Sequence, residues 1–183
     1  MTLDLALPAP NVPVGSYLMA VRSGDLLFLS GHGAFEDGRP VHTGRLGQTM
    51  TTEQGARAAE AVMLNLLATV RAELGDLSGV ARVVKLVVFV NSAPEFTEQH
   101  LVANGATDLL VRVFGAAGRP ARSAVGVAAL PLGFAVEIEA VVEIGQTRPP
   151  ALALRIIFHV RPLWWPTSSS LIADNIETLM SGI

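Results

Sequence analysis

From Val136 to Ile144 the chain alternates side-chain character without a break. Val136, Ile138, Ala140, Val142 and Ile144 fall on one side, and Glu137, Glu139, Val141 and Glu143 on the other. A period of two is that of a β-strand, whose successive side chains point to opposite faces of a sheet. One face is therefore expected to pack under another layer, while the other presents carboxylates. A sheet with one apolar face needs a second layer to cover it, and that requirement limits the folds open to the rest of the chain.

The covering layer is legible upstream. Thr51 with Gln54 three residues later makes a capping-box signature. Behind it Ala59, Val62, Met63, Leu66, Leu67, Val70 and Leu74 recur at spacings of three and four, which is the stripe of an amphipathic helix, and Gly75 ends it. Asn91, Ser92 and Pro94 open a second helix, expected over residues 95–114, interrupted at Asn104-Gly105 and closed near Gly115 and Gly118. Residues 17–22 and 26–30 are extended runs separated by Ser23-Gly24-Asp25, a hairpin turn. Asp37-Gly38, Gly44 and Gly47 mark an irregular connection. Residues 80–90 are β-branched and too apolar for a surface strand, so they read as a central strand with both faces covered. Strands over 123–129 and 135–144 follow, joined through Leu130-Pro131-Leu132-Gly133. The order β-β-α-β-α-β-β is an α+β layer with two helices on one face of a mixed sheet. Residues such as Val87 and Phe89 would be exposed on the other face, so association with further copies of the chain is expected to cover it.

The domain is expected to span residues 1–145. Beyond it, Gln146-Thr147-Arg148-Pro149-Pro150 has the composition of a linker, and both tryptophans, Trp164 and Trp165, come later. Residues 146–183 read as an atypical tail: a docking segment, a peripheral-membrane element, or sequence never selected to fold. Residues 168–180 are the candidate for a brief helix there.

With 13 basic and 16 acidic side chains, and no Lys/Arg block, the chain lacks the electrostatic footprint of a nucleic-acid binder. It has no cysteine, which removes disulfides, thiolate metal sites and cysteine nucleophiles together. His32, His42, His100 and His159 show no paired ligand spacing, and Gly44, Gly47 and Gly55 form no phosphate loop. Neither a metal nor a nucleotide cofactor is implied. No apolar run approaches the roughly 18 residues of a membrane span, and the first residues do not read as a signal peptide. A cytoplasmic protein without membrane contact is expected.

The stretch Arg119-Pro120-Ala121-Arg122-Ser123-Ala124-Val125, followed by Val136-Glu137-Ile138-Glu139-Ala140, sets an arginine and a row of carboxylates on what read as neighbouring strands. An arginine fork recognises a planar carboxylate through paired charge-assisted hydrogen bonds, so a small-acid site is one reading. On residue type alone Arg122 is better read as the ion-pair partner of a strand glutamate. The three glutamates alone read as a solvated or interface-facing strand side.

The wording of these segments, with Gly15-Ser16-Tyr17, Leu29-Ser30-Gly31, Val88-Phe89-Val90 and Leu130-Pro131, resembles the RidA (YjgF) family of small imine deaminases over roughly residues 12–145. The resemblance implies a chorismate-mutase-like fold and a homotrimer with three clefts between subunits. It implies that Arg122 grips the carboxylate of a 2-imino acid and that Glu137 orients or activates the attacking water. Tyr17, Ser30 and Asn104 are implied to line the cleft, and Ala124, standing where the best-known members have cysteine, to contribute its backbone. Glu139 and Glu143 keep the plain strand reading. The stretch between Phe96 and Arg122 is longer than in those members, and His32 follows Ser30-Gly31 where a glutamine is usual, reach to the cleft mouth being the lesser of its readings.

Two functions follow. One is hydrolytic deamination of 2-imino acids or enamines to 2-keto acids and ammonia. The other is a non-catalytic trimer that binds small carboxylates or acts as a chaperone-like or regulatory module. Ribonuclease activity has been attributed to some relatives of this kind, and the acidic balance here argues against it.

Overall fold

The computed structural model describes residues 5–145. The expected tail, with its two tryptophans and its helix, lies outside the described residues.

Strands β1 (Ala20–Ser23) and β2 (Leu26–His32) form the expected antiparallel hairpin, Ser23 facing Leu26 across a turn in which Gly24 takes φ 59°. A second small hairpin, β3 (Phe35–Glu36) and β4 (Arg39–Pro40), occupies part of what the sequence marks only as an irregular connection. Asp37 and Gly38 both have positive φ, the conformation that closes a two-residue turn.

Helix α1 (Thr52–Leu74) starts where the capping box predicts. The Gln54 N–H donates to Thr51 Oγ1 at 3.3 Å, and the Thr51 N–H donates to Gln54 Oε1 at 2.8 Å. Gly75, at φ 82°, ends the helix with its N–H on the Arg71 carbonyl. The stripe Ala59, Val62, Met63, Leu66, Leu67 and Val70 is buried. Each of the larger side chains contributes about 1.5–3 kcal/mol by leaving water.

Helix α2 (Gln99–Phe114) differs from expectation at both points of interest. It starts later because residues after Pro94 are held as a turn: the Phe96 N–H bonds the Ala93 carbonyl, and Gln99 Nε2 donates to the Phe96 carbonyl at 2.6 Å. Asn104-Gly105 does not interrupt it. Gly105 lies against the Ala56 carbonyl of α1, where a Cβ would overlap backbone, so glycine sets the closeness of the two helices. Arg112 and Glu60 form an ion pair across the same contact.

The remaining strands are β5 (Val80–Asn91), β6 (Ala121–Val127) and β7 (Val136–Ile144). The main sheet runs β1-β2-β7-β5-β6, antiparallel except that β5 and β6 are parallel. It is the mixed sheet of the expected α+β layer, but one expectation is corrected. Arg122 on β6 and the glutamates on β7 are not on neighbouring strands, since β5 runs between them. Within the single chain the helices cover one face of β5, where Val83, Leu86, Val88 and Val90 are buried, while Val84 is 37% exposed on the other side and Val87 and Phe89 are half-buried, on the face expected to meet further copies. Its apolar richness reflects an open apolar sheet face, to which Val21, Phe28 and Val125 also contribute, each exposed. No helix among the described residues is long and apolar enough to cross a membrane.

Candidate functional site

The sheet register decides which candidate residues meet. Arg122 lies opposite Leu86 and Ala124 opposite Val88, and both partners are buried beneath the helices, so Arg122 and Ala124 point to the covered face of the edge strand β6. Glu137 lies opposite Phe89, on the open side. Within one chain the two expected catalytic residues are therefore on different faces of the sheet with β5 between them, and they do not form one pocket. They head two separate clusters of side chains, half-sites in the sense that each holds one of the two expected catalytic residues.

The first half-site is built by α2 over β6. Arg122 Nη1 donates to Asn104 Oδ1 and to Thr107 Oγ1, each at 3.0 Å, and Nη2 donates to the His100 carbonyl at 3.3 Å. A guanidinium carries five N–H groups. Nε–H and one N–H of Nη2 are left without an acceptor among the described residues, and Arg122 has no carboxylate partner there. The ion-pair reading of Arg122 is thus replaced by one in which neutral acceptors hold the cation and leave two donors for a ligand. Arg122, Arg119, Pro120, Thr107 and Asp108 border one shallow concavity. Asn104, expected to line the cleft, accepts from Arg122 through its Oδ1. Thr107 was not foreseen, although its place three residues after Asn104 puts both side chains on one face of α2. Ala124 packs against the edge of the core.

The second half-site joins β2, β7 and the segments before β1 and β7. Tyr17, Ser30 and Glu137 come together as expected, with Val14, Leu132 and Phe134 adding apolar walls. Gly31 is the enabling residue: a Cβ there would overlap the Glu137 carboxyl, so the side chain lies over bare backbone. Burial, and secondarily the charge of Glu139, push the Glu137 carboxyl above its ordinary value. Ser30 Oγ donates to the Leu18 carbonyl at 2.7 Å, tying the floor to the strand before it. Tyr17 is 45% exposed and accepts a long 3.5 Å hydrogen bond from the Val14 N–H.

His32 does not reach the cleft mouth. Register slips between Leu29 and His32, where three residue steps on β2 match two on β7. One extra residue reverses which face each following side chain takes, so His32 turns into the core and is fully buried.

The family profile described as Endoribonuclease L-PSP matches residues 8–144. Protein TCP17 of Trypanosoma cruzi is 50% identical over 145 residues, covering 79% of this chain and 91% of that protein. A 2-iminobutanoate/2-iminopropanoate deaminase of Dermatophagoides farinae is 31% identical over 140 residues, covering 76% of this chain and 94% of the relative. Among solved structures, a protein of unknown function from Agrobacterium tumefaciens superposes with a TM-score of 0.73 at 46% identity, over 78% of this chain and 88% of that one. The chain belongs to the Endoribonuclease L-PSP family, which is the RidA (YjgF) family, and has its chorismate-mutase-like α+β fold.

Proposed function

We propose that the chain hydrolyses reactive 2-imino acids or enamines to 2-keto acids and ammonia, in clefts between subunits of a homotrimer. The observation that carries this reading is the separation of the half-sites. The Arg122 fork sits at the β6 edge of the sheet and the Glu137 pocket toward the β1-β2 edge, so contact between the two edges of successive copies completes one site from two chains. The open apolar face supplies the driving force for that association, and the deaminase relative supports the chemistry.

The two free donors of Arg122 take the substrate carboxylate and orient the imine carbon over the neighbouring copy's Glu137. Water adds to that carbon as Glu137 accepts one of its protons. The same carboxyl returns that proton to nitrogen to give the carbinolamine, then takes the hydroxyl proton and passes it to the amine nitrogen as the C–N bond breaks, so ammonia leaves as the carbonyl forms. A carboxyl raised above its ordinary value is suited to both transfers. The apolar walls of the pocket receive the side chain of the imino acid.

The test adds purified protein to 2-iminobutanoate generated in situ by an amino-acid oxidase and follows 2-ketobutyrate, with Arg122→Ala beside the wild type. Faster release with the wild type than with the variant is expected. Equal release at the uncatalysed rate ends the deaminase reading. If the wild type then still binds 2-ketobutyrate, the non-catalytic carboxylate-binding trimer takes its place.

A further inference from the structure

His32 is fully buried, yet both of its ring nitrogens are engaged. Nδ1 lies 2.7 Å from the Ser30 carbonyl and Nε2 lies 2.9 Å from Thr69 Oγ1 on α1. A carbonyl only accepts, so Nδ1 carries the hydrogen. Desolvation lowers the pKa of the ring and keeps it neutral, which leaves Nε2 to accept from the Thr69 hydroxyl. The imidazole is a strut between the middle of α1 and the carbonyl of Ser30, within the bulge of β2.

That residue is part of the second half-site. The Ser30 N–H bonds the Met19 carbonyl at 3.0 Å, its hydroxyl bonds the Leu18 carbonyl at 2.7 Å, and its own carbonyl is held by His32. Ser30 is thus fixed on both sides of the strand, and with it the backbone of Gly31, the surface on which the Glu137 carboxyl rests. A bulge re-aims the side chains beside it, and here the Glu137 carboxyl lies against the bulged backbone at Gly31.

We infer that His32 is a positioning residue for Glu137, acting through the Ser30 carbonyl to hold the β2 bulge in the form that seats the carboxyl over Gly31. It does not touch substrate. The kinetic part of its test rests on the proposed deaminase activity, whereas the titration part does not.

The experiment compares His32→Leu, which fills the space and supplies no hydrogen bond, with His32→Gln, whose amide can both donate to Ser30 and accept from Thr69. With 2-iminobutanoate, His32→Leu is expected to lower kcat about 10-fold to 100-fold with KM within about twofold of wild type, as a misplaced catalytic group does. His32→Gln is expected to recover most of the loss. Independently of activity, the Glu137 carboxyl is titrated by carbon NMR, assigned with Glu137→Gln. Its midpoint is expected to fall toward the ordinary glutamate value in His32→Leu, as the carboxyl leaves the Gly31 surface, and to stay put in His32→Gln. An unchanged midpoint in His32→Leu overturns the inference, and so does a His32→Gln variant no better than His32→Leu in either measurement. If His32→Leu does not fold, Thr69→Val removes the far anchor of the strut, and the same shift of the Glu137 midpoint, or its absence, decides. A wild type without imine hydrolysis counts against the deaminase proposal alone, because the titration still decides the role of His32.

Discussion

The two faces of the sheet obey different rules. On the covered face the chain closes on itself: Leu86, Val88, Ile138 and Val142 are almost wholly withdrawn from water, and the helices above approach so closely that Gly105 has no room for a Cβ. On the open face Val21, Phe28, Val84 and Val125 are each more than a third exposed, and the charged groups Lys85, Glu137, Glu139 and Glu143 stand among them. Lys85 reaches no carboxylate among the described residues and bonds the Ser123 hydroxyl at 2.9 Å. The covered face carries the stability of the single chain. The open face holds groups whose partners the single chain does not supply, as expected where assembly and chemistry share a surface.

The comparison breaks first, and most severely, at the helix contact. Gly105→Ala places a methyl group against the Ala56 carbonyl, and the obstacle is backbone that cannot turn aside. Overpacking of this kind costs about 3 kcal/mol, measured by denaturant unfolding. A variant as stable as wild type would mean that the helices are not held at contact distance.

On the open face, Phe28→Glu is expected to leave the far-ultraviolet circular dichroism of the chain intact while converting the proposed trimer to monomers in light scattering. Phe28 is 45% exposed in the single chain, so in the proposed trimer its burial would come from the contact between copies. About 2 kcal/mol per copy is at stake when such a side chain is covered, and placing a charge there adds to the loss. Unfolding of the variant, rather than dissociation, would show that this face also stabilises the single chain.

Arg122 is the exception on the covered face, a cation held by neutral acceptors at the sheet edge. Arg122→Lys keeps the charge and loses the fork, so KM for a 2-imino acid is expected to rise roughly 10-fold to 100-fold, with thermal stability nearly unchanged. A lysine variant with wild-type KM would mean that charge alone, not paired donors, attracts the carboxylate.

How much of this was legible depended on how local the cause was. The Thr51-Gln54 capping box was readable because both hydrogen bonds close within one turn, and the alternation of Val136 to Ile144 because the pleat imposes it residue by residue. The place of β5 between β6 and β7 was not readable, since strand order is fixed by packing among distant segments. The fate of His32 turned on a bulge that exists only relative to the partner strand, and a one-residue slip reverses every assignment beyond it. Candidate residues could be chosen from their motifs, yet the separation of Arg122 and Glu137 onto different faces of the sheet followed from the topology. Thr107 escaped notice because nothing in its own neighbourhood announces an arginine fifteen residues away.

The finest test of the contrast between faces is the stability attached to Glu137. Burial and the neighbouring Glu139 hold its carboxyl above the ordinary glutamate value, so the folded chain binds that proton more tightly than the unfolded chain does. The stability linked to this group is fully present below the ordinary glutamate range and is lost as pH rises through the raised value. At neutral pH the ionised carboxylate therefore works against the fold, which a group retained for packing would not do. Glu137→Gln removes the charge and keeps the shape, so its melting temperature is expected to exceed that of wild type at neutral pH. That advantage should shrink away as the solution is acidified below the glutamate range. Because the carboxyl is only partly withdrawn from water, the gain is the smallest effect predicted. A glutamine variant less stable than wild type at neutral pH would show that Glu137 contributes to the fold as the covered face does, and the division of labour between the faces would fail at its most telling residue.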